Sequence, residues 1–189
     1  MKQLPFSKLR FLSLTSSLIA VAGLVLGPAP LFAADSQDEF SKGVIDFGLV
    51  AKDANRTAAF LTNAIGFTEV KGFSVSPEQG KKIGLIDGHA VDVRMFALTE
   101  GNQGTRLKLL SFPKAEAKSA DQKFIHSTLG FRYLTLYVKD MNRALERLKA
   151  AKVALEGETP LDLGGGTYIA VVRDPDGNFF ELIGPKGKP

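Results

Sequence analysis

The chain has no cysteine, no tryptophan, two histidines and three tyrosines among its 189 residues. Without cysteine there is no disulfide, no thiolate metal site, no thiol nucleophile and no N-terminal cysteine to carry a lipid; the absence suits an oxidising export compartment. The histidines fall in connecting sequence: His89 in the turn Asp87-Gly88-His89, and His126 in the segment before the second half of the chain. Both read as loop residues rather than ligands. No basic run interleaved with aromatics occurs, so nucleic acid is not an expected partner. Gly164-Gly165-Gly166 is not followed by Lys-Ser/Thr and opens no helix, so it is read as a flexible lip and not a phosphate-binding loop.

What is present begins with a positive N-terminus. Lys2, Lys8 and Arg10 precede a mostly apolar run from Phe11 to Leu26, broken by Gly27-Pro28, with small-residue cleavage offered at Leu31-Phe32-Ala33. Residues 1–33 read as a secretory signal peptide cleaved near Ala33, giving a periplasmic or secreted protein with no stable membrane insertion after cleavage. An uncleaved anchor is the alternative, since the run is near the minimum length for spanning. Cleavage removes three of the 24 basic side chains and none of the 20 acidic ones, leaving 21 against 20, so the basic balance belongs to the leader. Residues 34–42 are polar and acidic and read as a short flexible segment.

The remainder repeats itself. Leu49-Val50-Ala51-Lys52-Asp53-Ala54-Asn55-Arg56 lies against Leu136-Tyr137-Val138-Lys139-Asp140-Met141-Asn142-Arg143 at a constant offset of 87 residues. Internal repeats of this kind set the architecture before any motif does. In each copy a period-two strand (Val44 to Ala51; Phe131 to Val138) runs into an Asp that can cap the helix behind it, Asp53 or Asp140. Ala58, Leu61, Ala64 and Ile65, and in the second copy Ala144, Leu145, Leu148 and Ala151, recur at helical spacing. Gly66 closes the first helix.

Strands are then expected at Thr68 to Val75, Ala90 to Leu98 and Arg106 to Phe112, with Gly101 to Gly104 as a hairpin loop. In the second half they are expected at Val153 to Glu158, Thr167 to Arg173 and Phe179 to Ile183. Lys81 to Asp87 reads as either an extra strand or a loop. The outcome is an α+β domain over residues 43–185, with two β-α-β-β-β modules (about 43–113 and 130–185) joined by a charged, Ala-rich linker at about 114–129. A helix covers one face of each small sheet and leaves the other bare, which favours pairing the open faces around a cavity. Exposed sheet edges also leave room for a homodimer.

The last hairpin focuses the chemistry. Asp174-Pro175-Asp176-Gly177-Asn178 is a turn between two β-rich runs, with Pro175 and Gly177 at turn positions. Beyond it Phe180 and Leu182 share one face, while Phe179, Glu181 and Ile183 share the other. A strand carboxylate among apolar neighbours is costly unless paired, protonated or bound to a cation.

The paired modules and the closing Asp-Pro-Asp-Gly-Asn followed by Phe-Phe-Glu-Leu resemble the vicinal oxygen chelate superfamily, which includes glyoxalase I, bleomycin-resistance proteins and extradiol dioxygenases. The resemblance covers about Gly43 to Pro185. It implies metal ligands on first and last strands, at the positions of Asp46, Lys108, Tyr133 and Glu181. Lys108 is an ammonium with no lone pair to give. Tyr133 ligates only as phenolate, about three units above neutral pH for an ordinary Tyr.

The expectation is therefore a metal-free pocket with no cofactor, in which Lys108 neutralises Asp46 and Glu181. A small, partly aromatic ligand would lie between Tyr133, Tyr137, Phe179 and that cluster. The alternative is a divalent metal on Asp46, Tyr133 and Glu181, serving a lyase or ring-cleaving dioxygenase; no catalytic residue is assigned. The charged residues read equally as a structural ion-pair network, and Arg94 either pairs with Asp92 or meets an anion.

Overall fold

The computed structural model describes residues 40, 41, 43–99, 104–115 and 117–187. The expected signal peptide, nearly all of the leader, and residues 101–103 of the expected hairpin loop lie outside them. Two four-stranded mixed sheets repeat one topology. β1 (Asp46–Val50), β2 (Thr68–Val75), β3 (Val91–Ala97) and β4 (Arg106–Leu110) form a sheet in the order β1-β4-β3-β2. β5 (Tyr133–Tyr137), β6 (Leu161–Gly164), β7 (Thr167–Arg173) and β8 (Phe179–Pro185) form the second in the order β5-β8-β7-β6. In each, the first strand runs parallel to the last, and the other pairs are antiparallel.

The helices form as the repeat predicts. Asp53 accepts from the backbone N–H of Asn55 and Arg56 and starts α1 (Ala54–Ala59); Asp140 accepts from Arg143 and starts α3 (Met141–Ala150). α1 continues as a π-helical stretch, Phe60–Ile65, whose wider turn is seen in the Gly66 N–H bonding back to Leu61 O at 3.0 Å. Gly66 stops it with φ 97°, a conformation that L side chains resist.

Two stretches depart from the sequence reading. Of Lys81 to Asp87, read as strand or loop, the first three residues end a helix, α2 (Pro77–Ile83), because Ser76 and Gln79 form a reciprocal capping box and Pro77 sits in the first turn, while Gly84 to Asp87 are a loop. Val153 to Glu158 makes only a single bridge, Leu155 to Val172. The edge strand is β6 instead, and the three glycines expected as a flexible lip make the β6–β7 hairpin turn, with φ of 89°, 61° and 77°.

Both modules share one core. Leu61, Ala64, Phe96, Leu107 and Leu109 pack in the same cluster as Ala144, Leu148, Val172, Phe180 and Leu182. Across the junction Phe60 and Phe180 meet edge to face, with centroids 5.3 Å apart, and Arg147 Nη2 donates to Ile65 O at 3.0 Å. The turn after β7 ties back as well: Asp176 Oδ2 accepts from the Lys52 N–H at 2.9 Å. The modules are therefore joined on their helix side. A smaller apolar cluster, Val91, Val93 and Met95 with Ile86, Leu110 and Phe112, lies on the opposite face of the first sheet.

Candidate functional site

Strand alternation puts Asp46, Gly48 and Val50 of β1 on the open face of the first sheet, beside Arg106, Lys108 and Leu110 of β4. Asp46 is held there by two cations. Arg106 donates from Nε to Oδ1 (3.3 Å) and from Nη2 to Oδ2 (2.9 Å), and Lys108 Nζ lies 3.5 Å from Oδ2. The Arg106 hydrogen bond, helped by the charge of Lys108, draws the Asp46 carboxyl below its ordinary pKa against the opposing effect of burial.

On the second sheet Tyr133, Thr135 and Tyr137 pair with Phe179, Glu181 and Ile183. Glu181 is half-buried and accepts from Thr135 Oγ1 at 2.7 Å. Phe179 lies under the Arg173 guanidinium, 4.0 Å from its ring centre. That guanidinium also pairs with Glu156 at 3.0 Å and donates to the carbonyls of Gln122 and Lys123, which fastens the linker to the module. Arg132 Nη2 and Gln122 Oε1 (2.6 Å), and Gln122 Nε2 and Asn178 Oδ1 (2.9 Å), extend the same network.

The expected joint cluster is corrected by this geometry. Lys108 meets Asp46 but not Glu181, because the two stand on different sheets that pack together through their helices. Nor do the tyrosines line an enclosed wall: Tyr133 is 51% and Tyr137 83% exposed. Arg94 does not pair with Asp92; it holds Glu69 with two 2.7 Å contacts on the helix side and reaches Asn55, while Asp92 bonds Ser74. Of the histidines, His89 packs edge-on to Phe112 and His126 stacks on Phe124, both away from the strand positions named above.

Both Asp46 oxygens face cations, Lys108 would repel a divalent ion, and among the described residues no group of three His, Asp or Glu side chains converges on a common point.

Sequence reasoning missed Arg106, the stronger partner of Asp46, although the alternation Arg106-Leu107-Lys108-Leu109 put it on the same face as Lys108. It also missed Thr135 and Arg173. Their roles depend on cross-strand register and on where the linker settles, and the sequence carries no signal for either.

Two cavities lie at the ends of the strands. One of about 580 Å³ runs between the end of β1 (Val50, Lys52), the start of the linker (Phe112, Lys118) and the β7–β8 turn (Asp176). A second, of about 790 Å³, adjoins the α1 N-terminus and Arg94.

The profile of the Glyoxalase/Bleomycin resistance protein/Dioxygenase superfamily matches residues 43–182. A lactoylglutathione lyase of Arabidopsis thaliana is 37% identical over 62 residues, which is 32% of this chain and 22% of that protein. The chain thus spans under a quarter of the length of the curated relatives it matches. Among solved structures, a glyoxalase family protein from Bacillus cereus superposes with TM-score 0.63 at 19% identity, covering 75% of this chain and 93% of that one. A glyoxalase I mutant from Zea mays gives TM-score 0.56 at 18% identity, covering 76% and 45%. Likeness at such low identity shows a shared fold.

Proposed function

The chain belongs to the glyoxalase/bleomycin resistance protein/dioxygenase superfamily, and from that premise we propose that it is an exported protein that binds a small organic molecule without using a metal ion. The observation that carries this reading is Asp46. The first-strand side chain that the family resemblance casts as a ligand is already neutralised by Arg106 and Lys108. A carboxylate with a guanidinium on both oxygens has little left to offer a divalent ion, while the cations beside it keep donors free for a polar ligand group.

The open faces supply the apolar part of such a site. On the second sheet Tyr137, Ile183, Ile169 and Leu161 form one row across four strands. Its ends, Tyr137 and Leu161, are exposed, a surface that a ligand or a second copy of the chain would cover.

The test is elemental analysis of protein expressed from the full-length gene, together with N-terminal sequencing of the exported product. The expected results are far less than one divalent ion per chain and a mature N-terminus near Ala34. One firmly bound divalent metal per chain would overturn the metal-free reading, and retention of residues 1–33 in the cytoplasm would overturn export. The stretch shared with lactoylglutathione lyases favours a second reading, a metal-dependent lyase using Asp46, Tyr133 and Glu181. That reading requires Asp46 to leave Arg106, and loss of turnover of a candidate substrate in Glu181→Gln would support it.

A further inference from the structure

The open face of the first sheet is chemically graded. One row across it reads Gly48, Lys108, Met95 and Val70. The next pairs Val50 with Leu110 and Val93 with Phe73, and beyond it Phe112 packs with Val91. Rows on one face repeat every two residues, about 7 Å, so the path from Lys108 to Phe112 is about 14 Å long. It ends at the 580 Å³ cavity, which Val50 and Phe112 both line.

Gly48 sits in the middle of β1, where a residue without a side chain weakens a strand and often marks the approach of a ligand or another backbone. Among the described residues nothing approaches it: a Cβ built on Gly48 would meet nothing within 4 Å. The space therefore lies directly beside Lys108, its cross-strand neighbour. The Lys108 ammonium has three donors, and the one Asp46 oxygen 3.5 Å away engages at most one of them. Among the described residues of this face and the cavity rim, Arg106, Lys108, Lys52, Lys118 and Arg132 stand against Asp46 and Asp176.

We propose that this face receives a small organic anion, a carboxylate with an apolar body. Its head rests over Gly48 against Lys108, and its body runs along Val50 and Leu110 toward Phe112. The proposal rests on the small-molecule reading above and adds the charge and orientation of the ligand. On the open face of the second sheet Glu181 is joined by Arg173, a cation already paired with Glu156, so a cationic or neutral ligand has no reason to prefer the first.

The test is an amide NMR titration of the ¹⁵N-labelled mature chain with octanoate, octan-1-ol and octylamine at physiological salt. Octanoate should move the Gly48, Lys108 and Leu110 amides and bind at least tenfold more tightly than octylamine. Lys108→Met should bring the octanoate and octan-1-ol affinities together. Gly48→Val, whose added Cβ meets no neighbour, should keep its thermal melt and lose octanoate binding. Equal affinity for octylamine, shifts confined to the second sheet, or unchanged binding by Gly48→Val would each overturn the anion site while leaving small-molecule binding intact. No binding of any of the three would overturn both.

Discussion

Replacing Asp46 by Asn is the most informative single change, because it removes one charge from a cluster of three and adds almost no volume change. In the native protein two guanidinium contacts, at 2.9 and 3.3 Å, and one ammonium at 3.5 Å surround the carboxylate. The side chains are 19% exposed for Asp46, 26% for Arg106 and 37% for Lys108, so solvent screens the pair with Lys108 most. An exposed ion pair is worth about 0.2–1 kcal/mol. A hydrogen bond to a charged group adds about 1.5–3 kcal/mol where it is well formed. With part of the second figure lost to desolvation and the Lys108 share discounted, the variant should be less stable by about 1–2 kcal/mol at pH 7.

The sign with pH follows from the lowered carboxyl pKa. The unfolded chain ionises near 3.9 and the folded one lower, so the stabilisation is fully present above about pH 4–5. It is lost as pH falls through the folded-state value. Urea unfolding of both proteins at pH 7, 4 and 2.5 should show a gap that is constant at first and then closes. Equal stability at pH 7, or a gap undiminished at pH 2.5, would refute the assignment of Asp46 to this ion-pair cluster.

Phe180, 1% exposed and edge-on to Phe60, stands at the junction of the modules; Phe180→Ala should cost about 3–5 kcal/mol in denaturant unfolding, and a loss under 1 would contradict a shared core. Carboxyl-carbon NMR should find Asp46 and Glu69 titrating below ordinary carboxylates, each held by an arginine. Asp174 should titrate above, because burial outweighs its bonds from Asn178 and Asp176. Its stabilising effect is therefore present at low pH and lost as pH rises through the raised value; the reverse order of titration would sink the burial argument. Sedimentation should detect self-association that Leu161→Lys with Tyr137→Asp weakens, since these exposed residues end an apolar row. A chain monomeric at all concentrations would refute that prediction.

Much of the fold was legible because it is written twice. A shared Lys-Asp-x-Asn-Arg fixed where strand gives way to capped helix in both halves, and the alternation around Glu181 correctly set Phe180 and Leu182 in the shared core and Phe179 and Ile183 on the other face, where Phe179 is buried beneath Arg173. Local chemistry also explains the misses. The capping box at Ser76 outweighed a weak strand signal, and three glycines supplied a tight hairpin where only looseness had been read. The site was harder. Residue types identified Asp46, Lys108 and Glu181, but their grouping depends on which faces of the two modules meet. Helix-side packing keeps Lys108 and Glu181 apart, and no single-strand pattern encodes that choice.

The interlocking of the halves through Phe60, Phe180 and Arg147 bears on how the chain comes apart. Because neither half owns its interior, cutting the backbone in the 114–129 connector would release no free piece. The two fragments would stay clasped, denature in one step, and recombine after separation only when both are present.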